Sequence, residues 1–118
     1  MLPFARLTVI GLGLIGSSVA RAVRANMPAV RITGFDADAD VRARADALEI
    51  CDDITDTVGT AVIDADLVIL CVPVGAMGAV AEEFATDLPI GAVVSDVGSC
   101  KQSVVEALAA VLPNATII

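Results

Sequence analysis

Three glycines, Gly11, Gly13 and Gly16, follow directly on the apolar run Leu7–Ile10, and no other feature of the chain narrows its possible folds as far. In a strand that runs into G-x-G-x-x-G, the first glycine permits a tight turn, the second lets backbone approach a ligand, and the third lets a helix pack closely. Behind the triplet, Ile15, Val19 and Val23 recur at the four-residue spacing of one helix face. Val30–Phe35 reads as a second strand and runs into Asp36, about twenty residues after Gly16, where a carboxylate that holds ribose hydroxyls is expected. A glycine triplet alone is a weak signal. Strand, glycine turn, helix, strand and acid in that order make the dinucleotide-binding fingerprint, with the pyrophosphate at the amino end of the helix.

Asp36 has a competing reading as a turn or helix-capping acid, but its placement favours the ribose. It is followed by Ala37 and Asp38 rather than by an arginine, so a 2′-phosphate would meet negative charge, and NAD is favoured over NADP. Arg42 and Arg44 weaken that preference if they reach back from the next helix.

At 118 residues the chain is expected to be one dinucleotide-binding domain, residues 1–118, with no second core. The hydrophobic fraction of 57% is concentrated in runs such as Leu67–Val72 and Ala92–Val94, as in strands of a parallel sheet covered on both faces. A net charge of −8 argues against nucleic acid and anionic membrane surfaces, which call for basic patches. Trp and Tyr are absent and there are 3 Phe, too few for a base-stacking platform. Cys51, Cys71 and Cys100 are odd in number and widely spaced, so neither a disulfide framework nor a zinc site is indicated, and a reducing cytoplasm is the expected setting. Cys71 reads as an inert core thiol. Arg6, the uncharged stretch after it and Ser18-Val19-Ala20 have some features of a secretory leader, but the glycine spacing and Asp36 weigh against one. Leu67–Ala81 is too short to span a bilayer and is interrupted by Pro73, Gly75 and Gly78.

Further along, Asp38 is the expected N-cap of a helix from Ala39 to Leu48, and a short third strand is expected near Ile54. Leu67–Val72 reads as a buried fourth strand stopped by Pro73-Val74-Gly75, with Met77, Val80, Phe84 and Leu88 at helical spacing after it. Ala92–Asp96 is the expected fifth strand. Val104, Val105, Leu108, Val111 and Leu112 mark the face of a last helix, and Ala115–Ile118 begins a sixth strand. Alternating strands and helices imply an α/β fold, a doubly wound parallel sheet of Rossmann type with strand order 3-2-1-4-5-6. In such a sheet ligands bind beyond the carboxyl ends of the strands, where strand order reverses. That rule selects Gly11–Gly16, Val72–Gly75 and Asp96–Ser99. Ser99 has two readings: Ser99-Cys100-Lys101-Gln102 fits an S-x-x-Q capping box, or the hydroxyl faces nicotinamide or substrate. Lys101, the only basic residue after Arg44, is either a solvated lysine or faces an anion.

The strings GLGLIGSS (Gly11–Ser18), ADLVILCVPVGAM (Ala65–Met77) and SDVGSCK (Ser95–Lys101) together resemble the cofactor domain of the prephenate and arogenate dehydrogenases, also called cyclohexadienyl dehydrogenases, of tyrosine biosynthesis. The resemblance implies an NAD(P)-dependent oxidative decarboxylation of prephenate or arogenate. It implies that Gly11, Leu12, Gly13, Leu14, Ile15 and Gly16 hold the pyrophosphate and that Asp36 binds the ribose. Val72, Pro73 and Val74 would line the adenosine and nicotinamide-ribose side, and Gly98 and Ser99 would lie near the nicotinamide and the substrate hydroxyl. The chain departs from the family in having no histidine. The family's catalytic histidine belongs to a His-Pro motif just beyond the sixth strand, and the helical domain that completes the substrate pocket and the homodimer follows it. The expectation is an amino-terminal part of a longer enzyme, able to bind cofactor but inactive alone. The hydroxyisobutyrate and pyrroline carboxylate types of dehydrogenase, and a stand-alone nucleotide sensor, are the alternatives.

Overall fold

The computed structural model describes residues 4–96, 106 and 108–118. Its centre is a parallel six-stranded sheet of order β3-β2-β1-β4-β5-β6, as the alternation of strands and helices predicts. The strands are β1 (Arg6–Ile10), β2 (Arg31–Phe35), β3 (Asp53–Ile54), β4 (Leu67–Leu70), β5 (Val93–Asp96) and β6 (Thr116–Ile117). The helices with complete bounds are α1 (Leu14–Asn26), α2 (Ala39–Ala47), α3 (Val58–Val62) and α4 (Val74–Phe84), and residues 108–111 are helical as well.

Side chains alternate across each strand, so the sheet carries two apolar layers. Leu7, Val9 and Ile32 pack with Ala20 and Val23 of α1 and Ala45 of α2. Ile10, Val68, Leu70 and Val94 pack on the other face with Val58 and Val62 of α3, Met77, Ala81 and Phe84 of α4, and Leu108 and Leu112. From Leu7 on, β1 is buried on both faces, which is why its sequence is apolar there except at Thr8. Its one buried polar residue, Thr8, donates its hydroxyl to the Ala61 carbonyl at 2.6 Å, so the hydroxyl enters the core already paired.

Packing corrects several sequence expectations. Ile15, expected on the inner face of α1, points outward and is 57% exposed; the helix instead buries Gly16, Ala20 and Val23. Small residues at 16 and 20 bring the helix axis close to the sheet, and that close approach outweighs the larger apolar area of Ile15. β4 ends at Leu70 rather than Val72, although the Cys71 N–H still donates to the Ile10 carbonyl at 2.7 Å. α4 begins at Val74, so Gly75 lies inside the helix, and it ends at Phe84, leaving Leu88 in the following turn. α3 has no counterpart in the sequence reading; it is one turn long, with the Thr57 hydroxyl accepting from the Thr60 N–H.

Candidate dinucleotide site

The carboxyl ends of β1 and β4 lie side by side, Ile10 opposite Leu70, and the chain leaves them toward helices on opposite faces of the sheet. That is the reversal in strand order where an open α/β sheet forms a crevice. The Gly11 N–H donates to the Phe35 carbonyl at 2.7 Å, extending the β1–β2 ladder one step into the turn. Gly11 has φ +98°, a conformation that side-chain-bearing residues rarely adopt, and a Cβ there would lie 2.5 Å from the Cys71 carbonyl oxygen. A Cβ on Gly16 would lie 1.7 Å from the Gly11 carbonyl oxygen, so the turn and the helix touch backbone to backbone. Gly13 is the contrast: nothing lies within 4 Å of where its Cβ would be.

That open position is the N-cap of α1, which has no side-chain cap and no acidic residue in its first turn. The first N–H groups of a helix lack intrahelical partners, and the positive end of the helix dipole favours an anion. Leu14 is 87% exposed, so the mouth of the turn is open. Leu12, by contrast, is buried in the core beside α2. These features fit a pyrophosphate: free space at Gly13, uncapped donors behind it, and no carboxylate in the first turn to repel it.

Asp36, half-buried at the end of β2, accepts hydrogen bonds on both oxygens: Oδ2 from the Leu12 N–H at 2.8 Å and Oδ1 from the Asp38 N–H at 2.9 Å. An ionised carboxylate has about four acceptor positions, so each oxygen retains one for a hydroxyl. The capping and ribose readings of this residue are therefore compatible, and the cap of α2 is Asp38, which accepts from the Asp40 N–H at 2.8 Å. Arg42 does reach back: its Nη1 donates to the Asp36 carbonyl at 2.8 Å. Arg44 instead lines a groove of about 300 Å³ between α1 and α2, with Arg21, Leu12 and Gly13.

The other side of the crevice is the turn after β4. Val72 is half-buried against the α4 layer, and its Cγ1 lies 3.2 Å from the position a Gly11 Cβ would take, so the two turns are in contact. Pro73 is the N-cap of α4, and Val74 is its first, half-buried residue. Burial pushes the Cys71 thiol up to about 11, which keeps it protonated and unreactive at neutral pH. Gly98, Ser99 and Lys101, on which the sequence reading placed nicotinamide and substrate contacts, lie outside the described residues. No helix among the described residues is long and apolar enough to cross a membrane.

Fold and crevice together define a dinucleotide-fold domain of the kind that serves dehydrogenases. Comparison with known proteins narrows the class. The profile of the prephenate dehydrogenase nucleotide-binding domain matches residues 19–118. The cyclohexadienyl dehydrogenase of Zymomonas mobilis is 48% identical over 118 residues, all of this chain and 40% of that protein, so this match includes the glycine turn. The prephenate dehydrogenase of Bacillus subtilis is 38% identical over 105 residues, 88% of this chain and 28% of that protein. Among solved structures, the prephenate dehydrogenase of Aquifex aeolicus superposes with a TM-score of 0.79 at 26% identity, covering 92% of this chain and 40% of that one. The chain belongs to the prephenate dehydrogenase nucleotide-binding domain family, a family of NAD(P)-dependent dehydrogenases.

Proposed function

We propose that residues 1–118 form the NAD-binding domain of a longer dehydrogenase that oxidatively decarboxylates prephenate or arogenate. The observation that carries the cofactor reading is the pairing of an open, uncapped helix start at Gly13 with a carboxylate, Asp36, that keeps two acceptor positions. The substrate class rests on the relatives, which are cyclohexadienyl and prephenate dehydrogenases, and one Aquifex aeolicus structure of the family contains NAD+ and hydroxyphenyl propionate.

Bound NAD would supply the hydride acceptor for the ring carbon that bears the substrate hydroxyl. The N–H groups at the start of α1 would hold the pyrophosphate, and Asp36 would accept from the adenosine ribose hydroxyls. Val72, Pro73 and Val74 would line the opposite, nicotinamide-ribose side of the crevice. Leu14 and Ile15, exposed in the first turn of α1, would present their N–H groups to the phosphates. On the DVGS-x-K string alone, Gly98 and Ser99 are assigned to the nicotinamide and the substrate hydroxyl, and Lys101 to an anion. The proton acceptor for the hydroxyl, a histidine, is assigned to sequence outside these residues, as is the helical domain that forms the dimer.

A preference for NAD over NADP is supported by Asp36 and Asp38, two carboxylates after β2 that would repel a 2′-phosphate on the ribose. Calorimetric titration of the chain tests the whole reading. NAD is expected to bind at least about tenfold tighter than NADP; absence of binding by either overturns the proposal, and equal affinities overturn the preference.

A further inference from the structure

Arg42 lies in the first half of α2, yet its side chain folds back onto the turn that precedes its own helix. Nη1 donates to the Asp36 carbonyl at 2.8 Å and to the Ala37 carbonyl at 3.4 Å. The guanidinium lies over the Phe35 ring, 6.0 Å from its centroid, and Nε is 3.8 Å from the Asp56 carboxylate. The Arg42 side chain is 21% exposed, whereas that of Asp56 is 94% exposed. Asp56 therefore contributes little to holding Arg42, and the carbonyls and the ring contribute most.

Those contacts fall on consecutive residues, 35, 36 and 37, and the middle one carries the carboxylate that accepts from the Leu12 N–H of the glycine turn. A chain of short contacts thus runs from Arg42 through the backbone of Asp36 to the Asp36 side chain and on to the turn after β1. We infer that Arg42 is a positioning residue for the adenosine half of the dinucleotide. By pinning the Asp36–Ala37 turn it holds the Asp36 carboxylate on the Leu12 amide, with the remaining acceptor positions set for vicinal hydroxyls. The planar, multiply donating guanidinium suits this task because it can bond carbonyls at its edge while its face lies on a ring. Nη1 is committed to the turn, and an Arg42 that instead received a 2′-phosphate would, when substituted, weaken NADP more than NAD. This inference rests on the dinucleotide-binding reading of the crevice.

The test compares wild type, Arg42→Gln and Arg42→Lys by titration with NAD, NADP, ADP-ribose and nicotinamide mononucleotide, and by hydrogen exchange at the Leu12 and Asp38 amides without ligand. Arg42→Gln is expected to weaken NAD and ADP-ribose by about tenfold and leave nicotinamide mononucleotide within about twofold. Ligand-free exchange at both amides is expected to rise about tenfold, with the melting temperature changed by less than about 3 °C. Arg42→Lys is expected to fall between wild type and Arg42→Gln. Unchanged affinities, or equal losses for both halves that track a falling melting temperature, overturn the inference. A greater loss for NADP than for NAD also overturns it, by making Arg42 a phosphate receptor. A wild-type chain that binds no dinucleotide overturns the proposed function instead, and the ligand-free exchange then decides the Arg42 contact by itself.

Discussion

The two edges of the sheet use the same residue types to different ends. At the amino edge, aspartates tie the structure together. Asp66 accepts from the Ala5 and Arg6 N–H groups at 3.0 Å. Asp52 accepts from the Ile32 N–H at 2.7 Å and pairs with Arg24 at 3.2 Å. At the carboxyl edge, Asp36 also accepts backbone N–H groups, but no arginine occupies its carboxylate among the described residues; Arg42 bonds the carbonyls of the turn instead. Glycines separate the same way. Gly16 is required by a backbone contact, whereas Gly13, three residues earlier, has empty space before it. The difference lies in the partners: Asp52 shares its carboxylate with an arginine and Asp36 does not, and Gly16 meets backbone where Gly13 meets open space.

Five substitutions sharpen or break this comparison. Gly16→Ala is expected to cost more than about 3 kcal/mol or prevent folding, because its Cβ meets backbone rather than a flexible side chain. Gly13→Ala should cost less than about 1 kcal/mol while weakening NAD about tenfold. Urea melts and titration read both, and a Gly16→Ala chain of normal stability would refute the packing account.

Asp36→Asn comes next, with NAD expected to weaken about 100-fold and the gap between NAD and NADP to narrow, since the charge that repels a 2′-phosphate is removed. Competitive titration decides this; an undiminished gap places the discrimination elsewhere.

Asp52→Asn should leave NAD affinity alone and cost about 1 kcal/mol at neutral pH, a value discounted for the solvent exposure of the pair. The Ile32 N–H, and after it Arg24, hold the Asp52 carboxyl below its ordinary 3.8. Because the folded value is depressed, the stabilisation is present above 3.8 and is lost as pH falls below it through the folded value. Denaturant melts of both proteins across that window should converge at the acid end. Parallel curves would show that Asp52 acts through shape rather than charge.

The smallest effect is a gain. Gly75 lies inside α4 with nothing within 4 Å of a Cβ, so Gly75→Ala should raise stability by about 0.5 kcal/mol. A loss in thermal melts would mean that this glycine, like Gly16, is required by a contact.

Much of this architecture is legible along the chain because its signals are local. The run into Gly11, the punctuation by Pro73 and the cap at Asp38 are set by neighbours in sequence, and strand order follows from right-handed crossovers. The inward face of α1 is not legible in the sequence, because hydrophobic size favours Ile15 while the helix is placed by how closely backbone can approach at Gly16. α3 escaped notice because a single turn has too few residues to show a period, and Thr57-x-x-Thr60 was its only signal.

From its sequence alone this protein is determined to be a doubly wound dinucleotide fold of the prephenate dehydrogenase family, with Asp36 at the end of its second strand. Periodicity, turn residues and motif spacing are properties of a chain in one dimension. Only the tertiary structure decided which glycine is crowded and which is open, that Asp36 is fastened to the glycine turn, and that Arg42 fastens Asp36. Those facts depend on distances between residues far apart in sequence, such as Leu12 and Asp36, and such distances are set only when the strands pair and the helices settle on the sheet.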